Sequence, residues 1–289
     1  MKAIVKYPGA KWRLAPWIIS HFPKHHSYLE PFFGSGAVFF NKPPSNIETI
    51  NDLDGEVVNF FDCIRKDPER LARNLFLTPY SREVYEQAFL ALHEAPEDPF
   101  ERARDFCIRM NQGHGFRTSG EKVGWKNDVC GRERAYAVRN WCGLPDRVIQ
   151  AAERLKGVQI ENMPAVDVIR RFNHPTVLIY ADPPYVLSTR CREQYRHEMT
   201  DEDHEELLDV LLDHQGPVIL SGYDGPLYND RLKGWHPEEA ISYTQTMKKK
   251  TEILWMNFEP EYQQLSIQGQ ADMKTQESMA GQENGGQKE

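Results

Sequence analysis

Thr176-Val177-Leu178-Ile179-Tyr180-Ala181-Asp182-Pro183-Pro184-Tyr185 passes from an apolar run into a stiff polar turn. The run reads as a buried strand, which places Asp182 to Tyr185 at a strand's carboxyl end. In an open α/β sheet, ligands bind in the crevice outside those ends, where the loops leaving the strands diverge. The turn suits the holding of an aromatic amine whose nitrogen must attack. Two prolines fix φ and lack N–H groups, so they stiffen the chain and leave carbonyls as acceptors. One carboxylate and one backbone carbonyl match the two hydrogens of an exocyclic NH₂, and Tyr185 offers a flat face for a base. The bland alternative is a proline-rich turn opened by an Asp, which many proteins contain.

Upstream, Ser27-Tyr28-Leu29-Glu30-Pro31-Phe32-Phe33-Gly34-Ser35-Gly36-Ala37-Val38-Phe39-Phe40 reads as a strand, a glycine turn and the start of a helix. Gly34 and Gly36 would let a ligand approach the backbone, and Glu30 could meet a positive charge. About twenty residues on, Asn46 to Asp52 forms a second strand ending in an acid, a spacing at which acids hydrogen-bond ribose hydroxyls. A lone Gly-x-Gly is weak evidence and is often purely structural. The chain has neither Gly-x-Gly-x-x-Gly nor Gly-Lys-Ser, which favours a nucleoside without phosphate over a dinucleotide or triphosphate.

A third segment, Lys6-Tyr7-Pro8-Gly9-Ala10-Lys11-Trp12, reads as a loop entering a helix, and taken alone Lys11 is most cheaply a solvated charge. Taken together, the ordered segments resemble the Dam-like DNA adenine-N6 methyltransferases of the phage and prophage kind. The resemblance runs from an aromatic-x-Gly-x-Lys segment through Glu-Pro-Phe-x-Gly-Ser-Gly and a variable insert to Asp-Pro-Pro-Tyr. It continues into Leu220-Ser221-Gly222-Tyr223-Asp224, Leu227-Tyr228 and Glu252 to Phe258, covering roughly residues 2 to 260.

The resemblance implies S-adenosylmethionine as cofactor, double-stranded DNA as partner and base flipping as the route to the target. Tyr7 and Lys11 match cofactor-contacting positions, Asp52 the ribose-binding acid, and Asp182 the catalytic acid that also lies beside the cofactor. Glu30, Phe32, Gly34 and Gly36 match the turn that wraps the cofactor. Asp182 and the Pro183 carbonyl would hold N6 while Tyr185 stacks on the base. No metal is implied. One position departs from the pattern: many relatives carry an acid soon after the strand at 158–161, where this chain has Asn162 and Pro164, which leaves adenine contacts from that loop open.

Composition fits this picture. The chain has 289 residues, 40% of them hydrophobic, enough for a large core with an inserted region. Its five cysteines show no Cys-x-x-Cys spacing, so neither a disulfide framework nor a zinc site is indicated. No stretch approaches the ~20 apolar residues of a membrane span, and the start lacks a signal-peptide core, so cytoplasm is the expected location. A net charge of −8 argues against DNA at first sight. Residues 102 to 156, however, hold twelve Lys or Arg against six Asp or Glu, while acids crowd 201 to 206. Duplex binding needs only one basic face, although such a stretch is also an ordinary charged surface.

Strands are expected near 27–30, 46–50, 158–161, 176–181 and 217–221, with helices between and a closing hairpin at 239–244 and 251–258. Thr200-Asp201-Glu202-Asp203 opens a helix with a capping box, ended by Gly216-Pro217. The expected architecture is α/β: a Rossmann-like S-adenosylmethionine-dependent methyltransferase sheet with an inserted, mainly helical target-recognition domain, the strand order resting on the resemblance. Residues 1–60 form the cofactor part, 61–155 the insert, 156–262 the catalytic part and 263–289 a polar, disordered tail. In the insert, Asn111 to Gly120 reads as a loop. Arg109, Gln112, Arg117 and Lys126 are candidate DNA contacts, with Phe116 or Trp125 as wedges; for any single one of them a flexible surface loop is the favoured reading. Cytosine N4, also an exocyclic amine, and an idle DNA-binding homologue are the alternatives. No obligate protein partner is evident, and restriction, genome protection and epigenetic roles look alike.

Overall fold

The computed structural model describes residues 1–94, 96–115, 117–129, 135–186, 193–243 and 249–260. Five strands, β1 (Ser27–Glu30), β2 (Ile47–Asn51), β3 (Val158–Glu161), β4 (Val177–Ala181) and β5 (Val218–Gly222), pair in parallel. The hairpin β6 (His236–Tyr243) and β7 (Lys249–Met256) joins antiparallel to β5, giving the order β3-β2-β1-β4-β5-β7-β6. The first five strands agree with the expected spans within a residue or so. The hairpin starts at His236, three residues earlier than expected.

Both faces of the central strands β4 and β5 are covered, which is why Val177–Ala181 and Val218-Ile219-Leu220 read as continuous apolar runs rather than as alternation. The period-2 rule still sorts the side chains. Tyr28, Leu178, Tyr180, Ile219, Leu254 and Met256 enter one core cluster, and Leu29, Ile179, Ala181, Leu220, Ile253 and Trp255 the other.

Six helices between β2 and β3 share the first cluster: α2 (Gly55–Lys66), α3 (Pro68–Leu77), α4 (Arg82–Glu94), α5 (Pro99–Gln112), α6 (Tyr136–Cys142) and α7 (Leu144–Leu155). Phe60, Phe61, Leu71, Phe106 and Val148 pack there in one contiguous core with the sheet. The short amino-terminal helix α1 (Ala15–Ser20) adds Ile18. The second cluster takes α8 (Ala165–Arg171), α9 (Asp201–Leu212) and α10 (Pro226–Arg231).

Local chemistry sets the helix starts. Asp54, Asp67 and Asp98 cap α2, α3 and α5 through their carboxylates, and a proline follows the cap in α3 and α5. Thr200 and Asp203 form the expected capping box. That helix stops at Leu212, short of Gly216-Pro217, because the chain must turn back for Pro217 to accept from Ile179 N–H at 3.0 Å. The helix expected after Gly36 is only two successive turns, Phe40 N–H to Gly36 O and Lys42 N–H to Val38 O. Pro43-Pro44 removes the donors that would extend it. Among the described residues no helix is long and apolar enough to cross a membrane. The tail and Phe116 lie outside the described residues.

Candidate active site

The strand order reverses between β1 and β4: the chain leaves β1 toward β2 and β3, then returns to the other side of β1 as β4. A crevice opens at that switch point, outside the carboxyl ends. Glu30 ends β1, and Asp52 and Asp182 follow β2 and β4 directly. They border a cavity of about 250 Å³, which Tyr7, Lys11, Phe32 and Gly34 also line. Four distant sequence segments meet there.

The glycine turn is built against aromatic rings. Gly34 has φ 51° and Gly36 φ 65°, a region in which a side chain is strained. A Cβ on Gly34 would stand 2.9 Å from the Tyr7 ring, and one on Gly36 2.5 Å from Phe33. The glycines therefore admit these rings, and of the two only Gly34 lines the cavity. Gly34 N–H donates to Asp52 Oδ2 at 2.8 Å and Asp54 N–H to Oδ1 at 2.9 Å. Even so, burial pushes the Asp52 carboxyl up to about 7. Burial likewise pushes Glu30 up to about 8, against the Tyr28 hydroxyl that donates to it at 2.6 Å.

Lys11 is buried, not solvated. Its Nζ lies 2.9 Å from Asp182 Oδ1, donates to Gly9 O at 2.9 Å, stands 3.8 Å from Glu252 Oε2 and sits 4.7 Å above the Tyr185 ring. Burial works to lower this ammonium's pKa, but the Asp182 and Glu252 carboxylates outweigh it and hold it above the ordinary lysine value. Asp182 is raised by burial, with Lys11 opposing. Tyr185 is buried, its hydroxyl donating to Glu252 Oε2 at 2.6 Å and lying 3.1 Å from Ser221 Oγ. Its ring meets Tyr223 edge-on at 4.3 Å. Pro183 is buried beside it, and Pro184 faces the cavity.

The candidate DNA contacts divide. Arg109 and Gln112 require correction: both are buried, in the last turns of α5, where the expected loop has not yet begun. The Arg109 guanidinium meets Glu56 Oε2 at 2.6 Å and Ala88 O at 2.8 Å, while Gln112 Oε1 accepts from Trp125 Nε1 at 3.3 Å. These side chains hold the helical layer together and present nothing to a duplex in this structure. Arg117 is half-buried and paired with Glu121, and Lys126 is half-buried with its Nζ 5.7 Å from the Tyr136 ring.

Two parts of the site were not named as site residues from the sequence. Tyr195 to Met199 closes one wall of the cavity, with Arg196 3.1 Å from Asp54 Oδ1 and its N–H donating to Thr118 Oγ1 at 3.0 Å. Glu252 comes in from β7, and its signal was that it leads the Glu252 to Phe258 segment of the resemblance, with no role attached to it. After β3, Asn162 turns its amide to Asp52 O at 2.7 Å, while Pro164, Ala165 and Val166 line the cavity.

Residues 7–249 match the family model described as D12 class N6 adenine-specific DNA methyltransferase. The chain belongs to that family. Among curated relatives, the DNA adenine methylase of Salmonella typhi is 25% identical over 276 residues, covering 90% of this chain and 96% of the relative. The Type II methyltransferase M1.LlaDCHI of Lactococcus lactis subsp. cremoris is 27% identical over 289 residues, covering 89% and 96%. The DNA adenine methylase of Vibrio cholerae is 30% identical over 194 residues, 65% of this chain and 67% of the relative. Membership in the D12 class makes this protein an adenine-N6 DNA methyltransferase, and the resemblance drawn from the ordered segments stands.

Proposed function

We propose that the crevice binds S-adenosylmethionine and that the chain methylates N6 of an adenine flipped out of duplex DNA, with Asp182, Pro183 and Tyr185 holding the amine. The observation that carries this reading is the pair of the buried Lys11 ammonium with Asp182 at the end of β4, beside a crevice whose other ionisable groups include the buried Glu30 and the half-buried Asp52. Such a crevice is short of positive charge, so it favours a cationic ligand. When bound, the cofactor supplies a methyl group on a sulfonium, which leaves with the C–S electron pair as a neutral thioether.

The protein's own part is orientation. Asp182 accepts one N6 hydrogen and the Pro183 carbonyl the other, which turns the nitrogen lone pair toward the methyl. Lys11 keeps Asp182 in place and limits how far burial raises it. As the N–C bond forms, positive charge grows on nitrogen, and the Asp182 carboxylate is already aimed at it. Asp182 need not be a strong base, because N6 becomes acidic only after it has bonded to carbon. Flipping is required because a paired and stacked amine cannot reach a donor buried in the crevice. Lys126 and Arg117, on the basic stretch, are the proposed phosphate contacts.

Transfer of labelled methyl from S-adenosylmethionine to unmethylated duplex DNA, followed by nucleoside analysis, tests the reading. Label on N6-methyladenine is expected. Label on cytosine N4, or no transfer by a protein that binds the cofactor, would overturn it.

A further inference from the structure

Glu252 has no part in the chemistry described so far, yet it is a buried carboxylate in contact with Lys11 and Tyr185. It reaches the site from β7, the antiparallel strand that closes the sheet beside β5. A buried carboxylate is costly unless it is paired and hydrogen-bonded. Its cation, Lys11, is shared: Nζ stands 3.8 Å from Glu252 Oε2 and 2.9 Å from Asp182 Oδ1. Its short contact is the Tyr185 hydroxyl at 2.6 Å, and Ser221 Oγ on β5 meets that hydroxyl at 3.1 Å.

The Asp182-to-Tyr185 turn is therefore pinned at both ends, by Lys11 at Asp182 and by Glu252 at Tyr185, and Glu252 lies near both pins. An apolar residue would fill the space under β7 without a desolvation cost, so packing does not call for an acid here. We propose that Glu252 is a positioning residue for methyl transfer: it fixes the Tyr185 ring and draws Lys11 partly away from Asp182, so that Asp182 keeps acceptor strength for the target amine. This inference rests on the functional reading above.

The groups that act electrostatically with Asp182 are Lys11 from the amino-terminal segment, Glu252 from β7, Tyr185 from the turn, Glu30 from β1, Tyr180 from β4 and Tyr228 from α10. Of these, Glu252 and Glu30 are the carboxyls, and both work to raise Asp182 or to be raised by it. Removing the Glu252 charge leaves Lys11 wholly to Asp182, which must then stay ionised to a lower pH.

The test is Glu252→Gln, assayed for methyl transfer to duplex DNA across pH, with S-adenosylmethionine binding measured separately by titration. The expected result is a kcat lower by about 10- to 100-fold, with KM for DNA and cofactor affinity each within about threefold of wild type. The acid limb of kcat should move to lower pH, a shift that a merely structural residue would not produce. The double variant Glu252→Ala, Tyr185→Phe should lose no more than Glu252→Ala alone, because without Glu252 the Tyr185 hydroxyl has already lost the partner through which it acts.

The inference is overturned if Glu252→Gln keeps wild-type kcat and acid limb, or if the losses of Glu252→Ala and Tyr185→Phe multiply. Should Glu252→Gln not fold, Tyr185→Phe carries the test, since it removes the hydroxyl that Glu252 holds and leaves the buried charges in place. A fall in its kcat of about tenfold or more supports the inference, and wild-type kcat overturns it. Wild-type protein assayed alongside separates the two levels. An inactive wild type overturns the functional reading itself, whereas an active wild type matched by Glu252→Gln overturns this inference alone.

Discussion

The two ends of the sheet bury charge in opposite ways. At the amino end, Glu48 on β2 takes contacts from Lys42, from Arg154 Nη2 at 2.7 Å and from Ser45 N–H at 3.0 Å, and the Lys42 ammonium lies 4.3 Å from the Tyr28 ring centre. Burial works to raise Glu48, but those donors outweigh it and hold the carboxyl below its ordinary value. At the carboxyl end, Glu30, Asp52 and Asp182 are all held above theirs by burial. The same Tyr28 separates the two ends, its ring under Lys42 and its hydroxyl on Glu30. A cluster whose charges satisfy one another is a clasp; a cluster left with surplus carboxyls is waiting for a partner.

The largest expected effect breaks the crevice. Asp182→Ala should lower kcat by about 1000-fold, roughly 4 kcal/mol of transition-state stabilisation, while thermal unfolding shows the fold retained. A residual rate within tenfold of wild type would remove Asp182 from the chemistry.

The clasp should respond in the other currency. Glu48→Ala strands Lys42 and Arg154 without their counter-charge, and losing one partner of a buried pair costs about 3–5 kcal/mol. The melting temperature should drop sharply while kcat at a temperature where the variant stays folded is unchanged. A drop in kcat with no loss of stability would reverse the assignment of the two ends.

Next in size is pH. Glu30 rises from 4.5 to about 8 and Asp52 from 3.8 to about 7 in the folded, ligand-free protein. Folded-state pKa values above the unfolded ones mean that the folded state binds the extra protons. The stability these two groups contribute is thus full below about pH 4 and is lost as pH climbs to about 8. Glu48, shifted the other way, contributes stability above its ordinary value that is lost as pH falls through its folded pKa. The ligand-free melting temperature should accordingly decline between pH 5 and 8.5, and the increment added by S-adenosylmethionine should grow over the same range. Glu30→Gln should flatten that decline and weaken cofactor binding together. An increment independent of pH would mean that the cofactor's positive charge does not meet these carboxyls.

Much of this was legible in the sequence, for a physical reason. Central strands buried on two faces leave unbroken apolar runs, so β4 and β5 could be bounded from Val177-Leu178-Ile179 and Val218-Ile219-Leu220, whereas β1 to β3 carry polar residues and were bounded with the help of the turns that follow them. The turns at their carboxyl ends then follow by adjacency, which is how Glu30, Asp52 and Asp182 could be named together. What escaped were pairings across long separations. Arg109 looked like a free surface cation because its partner, Glu56, is 53 residues away. Arg196 meets Asp54 across 142 residues, and the Tyr185 hydroxyl meets Glu252 across 67. A local pattern carries no trace of such contacts. Lys11 shows the same limit, since only the fold reveals that its neighbours are carboxylates rather than water.

The smallest expected effect sharpens a second contrast, inside the basic stretch itself. Arg109 and Lys126 carry the same charge in one segment, yet Arg109 is tied to Glu56 and Ala88 O, whereas Lys126 is held by its backbone, N–H to Gln112 O at 2.7 Å, beside the Gly113–Trp125 bridge. A half-buried lysine of that kind can give its ammonium to a phosphate at little structural cost. Lys126→Ala should weaken duplex binding severalfold, equally on all sequences, and reduce the slope of log affinity against log salt by about 1. Arg109→Ala should leave that slope unchanged and lower the melting temperature instead, because it abandons Glu56. If the salt slope moves with Arg109 and not with Lys126, the helical layer opens on binding DNA, and burial in the free protein is then the wrong guide to which cations meet the duplex.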